Sequence, residues 1–278
     1  MSFAEASGSS TIPPTFPDVW DPISPHNEEP SPTCLARVQR EVFFHTHLPR
    51  GVFVEPEESD VTRLHALVVG PRDTPYENGF FHFLVKFPPN YPASPPRVRN
   101  MTTDAGRVYF HSHLDACGDV CLGTLGTCPE GPSWNPTQDS LKTVLEAIQS
   151  MLNVKKTCFK ESGSERPGDC SGHDATIRHE TIRVAVCDTV GACLAGSSAC
   201  PPSLRLRILK AFSERYGWYE KVVGDHVHLD GTVMVDPFGD GNGVYQYRNL
   251  LGRLRRLNEQ LLHGSGPIVE GKEDAAQV

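Results

Sequence analysis

Leu35, Val38 and Val42 recur at helical spacing, with Arg37 and Arg40 on other faces and Thr33 placed ahead as a cap. The spacing predicts a first helix that ends near His45, before the Pro49-Arg50-Gly51 turn. Strand patterns follow: a short Val52-Phe53-Val54, then Leu64 to Val69, then Phe80 to Phe87. In the last of these, Phe81, Phe83, Val85 and Phe87 alternate onto one face, and His82 and Lys86 fall on the other. Arg97-Val98-Arg99 begins a fourth strand. The connections are short and rich in turn formers, which favours an antiparallel meander. Thr137 to Leu152 is predicted helical, with Leu141, Val144, Leu145, Ile148 and Leu152 as its apolar stripe. Further helices are expected at Ala175 to Cys187, Ser203 to Tyr219 and Val244 to Leu262, after a linker from Gly163 to Gly172.

The pattern divides the chain of 278 residues into four parts. Residues 1–31, rich in Ser, Pro and Glu, are expected to be flexible except at Val19-Trp20-Asp21-Pro22, which is able to pack on the body. Residues 32–162 hold the first helix, the strands and the second helix. Residues 163–262 are a mostly helical extension packed on them, and 263–278 a polar, disordered tail. The fold class is therefore α+β, a four-stranded antiparallel meander flanked by helices.

Composition narrows the function. The formal net charge is −8, which argues against a general nucleic-acid binder. No apolar run approaches the roughly 20 residues a membrane span needs. The first ten residues lack the basic start and apolar middle of a secretory signal. The nine cysteines are therefore expected as reduced thiols in the cytoplasm, where a cysteine nucleophile is available. They form no Cys-x₂-Cys pair, so no metal site is expected, and a zinc-dependent interaction module is the weakest of the readings. The three tryptophans are read as packing residues, with Trp134 anchoring a loop, and the Leu/Arg stripe of residues 250–262 as a docked amphipathic helix.

The densest signal is Val108-Tyr109-Phe110-His111-Ser112-His113-Leu114, then Gly118-Asp119-Val120-Cys121-Leu122, then Trp134-Asn135-Pro136, with a helix directly after. Ahead of it stand Gly70-Pro71, Thr74-Pro75-Tyr76 and Gly79, then Phe87-Pro88, Tyr91-Pro92 and Pro95-Pro96. In order and spacing these motifs resemble the ubiquitin-conjugating enzymes, from about Pro32 to Leu152. Ile177 to Asp188 and Asp236-Pro237-Phe238-Gly239 are similar to the C-terminal extension of one branch of that family.

The resemblance implies the ubiquitin-conjugating (UBC) fold and an acyltransferase. Cys121 would accept ubiquitin, or a ubiquitin-like modifier, from an activating enzyme as a thioester. The modifier would then pass to a substrate lysine or to a ligase. Cysteine suits this chemistry because it is both a good nucleophile and a good leaving group. No cofactor is implied, since ATP is consumed upstream by the activating enzyme, and no phosphate-cradling glycine loop is visible here.

Two departures from the family stand out. Its His-Pro-Asn box, whose Asn stabilises the oxyanion, reads His111-Ser112-His113 here, so that His113 takes the Asn position. An imidazole N–H is able to replace the amide donor, and one branch of the family resembles this chain in having His there. The bland alternative makes His113 a loop residue that only caps backbone. The family's polar turn after the second helix is replaced by Asn153-Val154-Lys155-Lys156-Thr157-Cys158. Arg37, Arg40, Ala93 and Pro136 match positions that touch RING-type or HECT-type ligases and the activating enzyme. The resemblance implies the cytoplasm and the nucleus as locations, with no nucleic acid or membrane as partner. For Cys121 the competing reading is a buried structural thiol. For the whole chain it is a catalytically impaired scaffold that binds proteins of the ubiquitin pathway.

Overall fold

A computed structural model describes residues 22–23, 29–43, 48–129, 131–153, 170–235 and 243–264. Helix α1 (Pro32–Phe43) begins on a cap two residues ahead of the expected one. Ser31, not Thr33, takes that role: its hydroxyl accepts from the Cys34 N–H at 3.1 Å, while Pro32 occupies the first helical position, where a missing N–H costs nothing. Its buried stripe is Cys34, Val38 and Val42, with Leu35 half-buried at the edge. The expected end near His45 lies outside the described residues, as do Val19, Trp20 and Asp21; Pro22 is buried.

Four strands follow: β1 (Val52–Glu57), β2 (Asp60–Val69), β3 (Phe80–Lys86) and β4 (Arg97–Asn100). They pair antiparallel in the order β1-β2-β3-β4, the expected meander. Every residue of β3 is buried. Phe81, Phe83, Val85 and Phe87 share a core with Val38 and Val42 of α1, Leu64, Ala66 and Val68 of β2, and the second helix. The face carrying His82 and Lys86 is buried as well. His82 Nε2 meets His65 Nδ1 at 2.9 Å, and Lys86 Nζ donates to Thr62 Oγ1 at 2.6 Å and pairs with Asp60. These contacts satisfy polar groups that burial would otherwise penalise.

Helix α2 (Leu141–Met151) starts four residues later than its periodicity suggests. Asn135 and Asp139 hold the intervening chain in a turn: Asn135 Oδ1 accepts from Thr137 N and Oγ1, and Asp139 Oδ2 from Asn135 N. Such side-chain bonds compete with helix. Ser140 then caps α2 in a reciprocal pair with Thr143. All five residues of its expected stripe are buried.

The extension covers the other face of the sheet. One helical run begins at α3 (Cys170–Glu180), widens into a π-helical segment at Thr181–Asp188 and ends as α4 (Thr189–Leu194). It starts inside the expected linker and outlasts the expected helix. The widened segment faces two ways. Val184 and Ala185 join the first core, while Ile182, Val186 and Cys187 join a second. That second core takes Leu67 and Phe80 from the sheet. It is completed by α5 (Pro202–Asp225), through Leu204, Ile208, Phe212 and Tyr219, and by α6 (Tyr247–Gly264), through Leu250 and Leu254. Val244, expected inside the last helix, instead bridges Val233 as a strand residue. Among the described residues no helix is long and apolar enough to cross a membrane.

Candidate active site

Cys121 sits at the end of a small hairpin docked on the edge of the sheet. Leu114 and Val120 bridge antiparallel, which makes His113 and Cys121 the next opposed pair, and the Cys121 N–H donates to the His113 carbonyl at 2.9 Å. The tip is closed by Asp115, whose N–H donates to Asp119 O at 2.9 Å and whose carboxylate accepts from Cys117 N at 2.8 Å. Gly118 lies at φ +102°, and a Cβ there would stand 2.7 Å from Asn100 O, so the position requires glycine. Its carbonyl accepts from Asn100 N at 2.8 Å, and Arg99 Nη2 donates to Cys117 O at 2.5 Å. The hairpin thus pairs alongside β4 at the edge of the sheet.

Thr127 holds the other side. Its hydroxyl donates to Val120 O at 2.6 Å and accepts from Leu122 N at 3.0 Å, which fixes the peptides flanking Cys121. A 3₁₀ turn at Gly123–Leu125 and Gly126 at φ +71° bring the chain back to make this contact. Sequence reasoning assigned Thr127 no role; the signal available was a threonine just past a turn-forming glycine.

Cys121 is half-buried, and it is a free thiol, as are Cys34, Cys117, Cys128, Cys187, Cys193 and Cys200. Cys117, at the hairpin tip, is held well away from reactivity at neutral pH. Partial burial and the nearby Asp115 and Asp119 carboxylates push its thiol up to about 11. His113 is half-buried, and its N–H donates to His111 Nδ1 at 3.1 Å. His111 is buried, and burial with the neighbouring His113 pushes it down to about 4, so it is a neutral acceptor at pH 7. Its ring stands edge-on to that of His113, with centroids 5.4 Å apart. Tyr76 Oη donates to Phe110 O at 2.6 Å and fixes the chain just before this segment.

The four positions matched to partner contacts differ in what they offer. Arg40, Ala93 and Pro136 are exposed. Arg37 is engaged internally: its guanidinium pairs with Glu41 and donates to Asp139 O at 2.9 Å. Glu41 also accepts from Tyr91 Oη and, at 2.7 Å, from Leu141 N. This cluster ties α1, the proline-rich loop and α2 together. Trp134 anchors the adjoining loop, its Nε1 donating to Pro92 O at 2.7 Å. Lys155, Lys156 and Cys158 lie outside the described residues.

Comparison with known proteins gives the family of the chain. The family model described as ubiquitin-conjugating enzyme matches residues 37–165, which contain the sheet, the hairpin and α2. The chain belongs to the ubiquitin-conjugating enzyme family and is a transferase of that family. Both of its halves are similar to ubiquitin-conjugating enzyme E2 Z. The Xenopus tropicalis protein is 42% identical over 268 residues, covering 94% of this chain and 83% of the relative. The Homo sapiens protein is 42% identical over 253 residues, covering 90% and 68%. A shorter match, 38% identical over 165 residues, is to the human dual E2 ubiquitin-conjugating enzyme/E3 ubiquitin-protein ligase BIRC6, covering 55% of this chain and 3% of that one.

Proposed function

We propose that Cys121 carries ubiquitin, or a ubiquitin-like modifier, as a thioester and passes it on. The observation that carries this reading is the half-buried Cys121 thiol on a backbone braced from both sides, opposite His113. The Cys121 thiolate attacks the thioester carbonyl on the activating enzyme, and that enzyme's cysteine leaves as thiolate. A substrate lysine amine then attacks the new carbonyl. The tetrahedral oxyanion collapses, Cys121 leaves as thiolate, and the amine gives up a proton as the amide forms. A ligase cysteine can take the amine's place in the second step.

His113 is the donor proposed for the oxyanion. Its carbonyl is occupied by the Cys121 N–H, so the ring is the part of His113 that has this task. One such donor is worth about 3 kcal/mol of transition-state stabilisation. No cofactor takes part, because the thioester retains the energy that ATP supplied upstream. Arg40, Ala93 and Pro136 form the surface offered to the activating enzyme and to RING-type or HECT-type ligases, and Arg37 shapes it from below. Residues 32–162 act as the catalytic unit and 163–262 as an extension that braces it, in the cytoplasm and nucleus.

The test uses the full chain with an activating enzyme, ATP and modifier, resolved on a non-reducing gel. A reductant-sensitive adduct that disappears in Cys121→Ala is the expected result. A folded chain that forms no adduct with ubiquitin or any ubiquitin-like modifier would support the non-catalytic scaffold instead.

A further inference from the structure

The turn that leads into the His111–His113 segment is conformationally costly. Asp104, Ala105 and Gly106 lie in succession at φ +51°, +54° and +84°, a left-handed run in which only the third residue is glycine. Non-glycine residues avoid that region, so two of them in a row persist only when neighbours hold them. The holding contacts are visible. Arg107 Nη2 donates to Asp104 Oδ1 at 2.6 Å from a largely exposed position. From the extension, Arg183 Nη2 donates to Asp104 Oδ2 at 2.7 Å.

Arg183 is itself fixed. It lies in the π-helical segment, where its Nε donates to both oxygens of the buried Glu180 at 2.8 and 3.1 Å. Glu180 in turn bonds His179 Nδ1 at 2.7 Å, and His179 Nε2 accepts from Gln246 N at 3.0 Å. Burial works against charge on Asp104, but Arg107 and Arg183 outweigh it and hold the carboxyl below its ordinary value. The clamp therefore stands fully charged at pH 7.

The clamped turn reaches Cys121 by two routes. Along the chain it leads through Val108 and Phe110 to His113, whose carbonyl receives the Cys121 N–H. Through space, Gly106 lies against the cysteine hairpin: a Cβ there would stand 3.7 Å from Ala116 O. The extension supports the same region a second time, since Tyr219 Oη of α5 donates to Asn78 O at 2.7 Å, two residues from the Tyr76 that fixes Phe110.

We propose that Arg183 is a positioning residue for the reacting cysteine: through Asp104 it holds the left-handed turn that sets His113 opposite Cys121. This rests on the thioester reading above. It makes the extension part of the acyl-transfer machinery rather than a separate appendage.

The test is single-turnover discharge. The full chain is loaded, ATP is removed, and free lysine is added at increasing concentration. Arg183→Gln and Asp104→Asn should each lower the plateau rate about tenfold, as small displacements of reacting groups do. The lysine concentration at half-plateau should stay unchanged. Arg183→Lys should recover part of the rate, and the double variant should be no slower than the slower single one, because both remove one contact. Asp104→Asn keeps size and tolerance of the left-handed region, so it carries the test should Arg183→Gln unfold. Unchanged plateaus would overturn the proposal. So would rates that multiply down in the double variant in step with a falling Tm. A parent chain that never loads would instead overturn the thioester reading itself.

Discussion

On one face of the sheet, Phe81, Phe83, Val85 and Phe87 share a core with α1 and α2; on the other, Phe80 and Leu67 share one with the π-helical segment, α5 and α6. The first core holds the hairpin of Cys121 through Leu114 and Val120. The second core carries no reacting group, yet it fixes Arg183, Tyr219 and through them the turn and loop that approach His113. On the positioning proposal, a sheet buried on both faces would transmit the loss of either cover to the site.

The largest test of that comparison removes the centre of the second core. Phe212→Ala should cost about 3–5 kcal/mol of stability. Hydrogen exchange should then report faster exchange in β2 and β3 as well as in α5, since Leu67 and Phe80 lose their cover. Loss of protection confined to the extension would make the two cores independent units.

Acid gives the next effect. Burial with the charge of nearby His65 pushes His82 down to about 3, and burial with His113 pushes His111 down to about 4. Their folded values lie below the unfolded value near 6.5, so the unfolded chain binds more protons in acid. The stability tied to neutral His82 and His111 is present above about pH 6.5 and is lost as pH falls toward 4 and 3. Denaturant melts between pH 7 and 4 should show a loss on the order of 3 kcal/mol from His82, and His82→Gln should flatten that slope.

A smaller effect sits on the hairpin that carries Cys121. Gly118→Ala forces a Cβ toward Asn100 O at an unfavourable φ and should cost about 1–3 kcal/mol, with slower loading of Cys121 at unchanged far-ultraviolet dichroism. The smallest expected change is a gain. Ala105 is exposed at φ +54°, so Ala105→Gly should stabilise the chain by about 0.5–1 kcal/mol, read as a small rise in Tm.

The two cores also differed in how well they could be read from sequence. The meander and the α2 stripe followed from alternation, turn residues and helical spacing, because each is a local property of the chain; the hairpin that carries Cys121 was not read from the sequence. The cap of α1 was misplaced by two residues, since Ser31, Pro32 and Thr33 all suit a helix start and only the Cys34 N–H contact separates them. The start of α2 was misplaced because Asn135 and Asp139 prefer their own turn over the helix. His82 and Lys86 read as a polar face, yet both are buried against His65, Thr62 and Asp60 of the neighbouring strand, pairings that alternation within β3 does not reveal. Thr127 and Arg183 have no motif of their own. Their importance comes from which backbone atoms they meet, which spacing does not encode.

The central claim is that the thiol at 121 receives the modifier. Peptide mass spectrometry of the loaded chain, with Cys121→Ser run beside it, tests this most directly. In the parent, the modifier's C-terminal glycine should be found on Cys121 and be lost to reductant. In the Cys121→Ser variant, the introduced hydroxyl should carry it as an ester that reductant leaves intact. Attachment at Cys117 or Cys128 in the parent, or unchanged loading in Cys121→Ala, would contradict it.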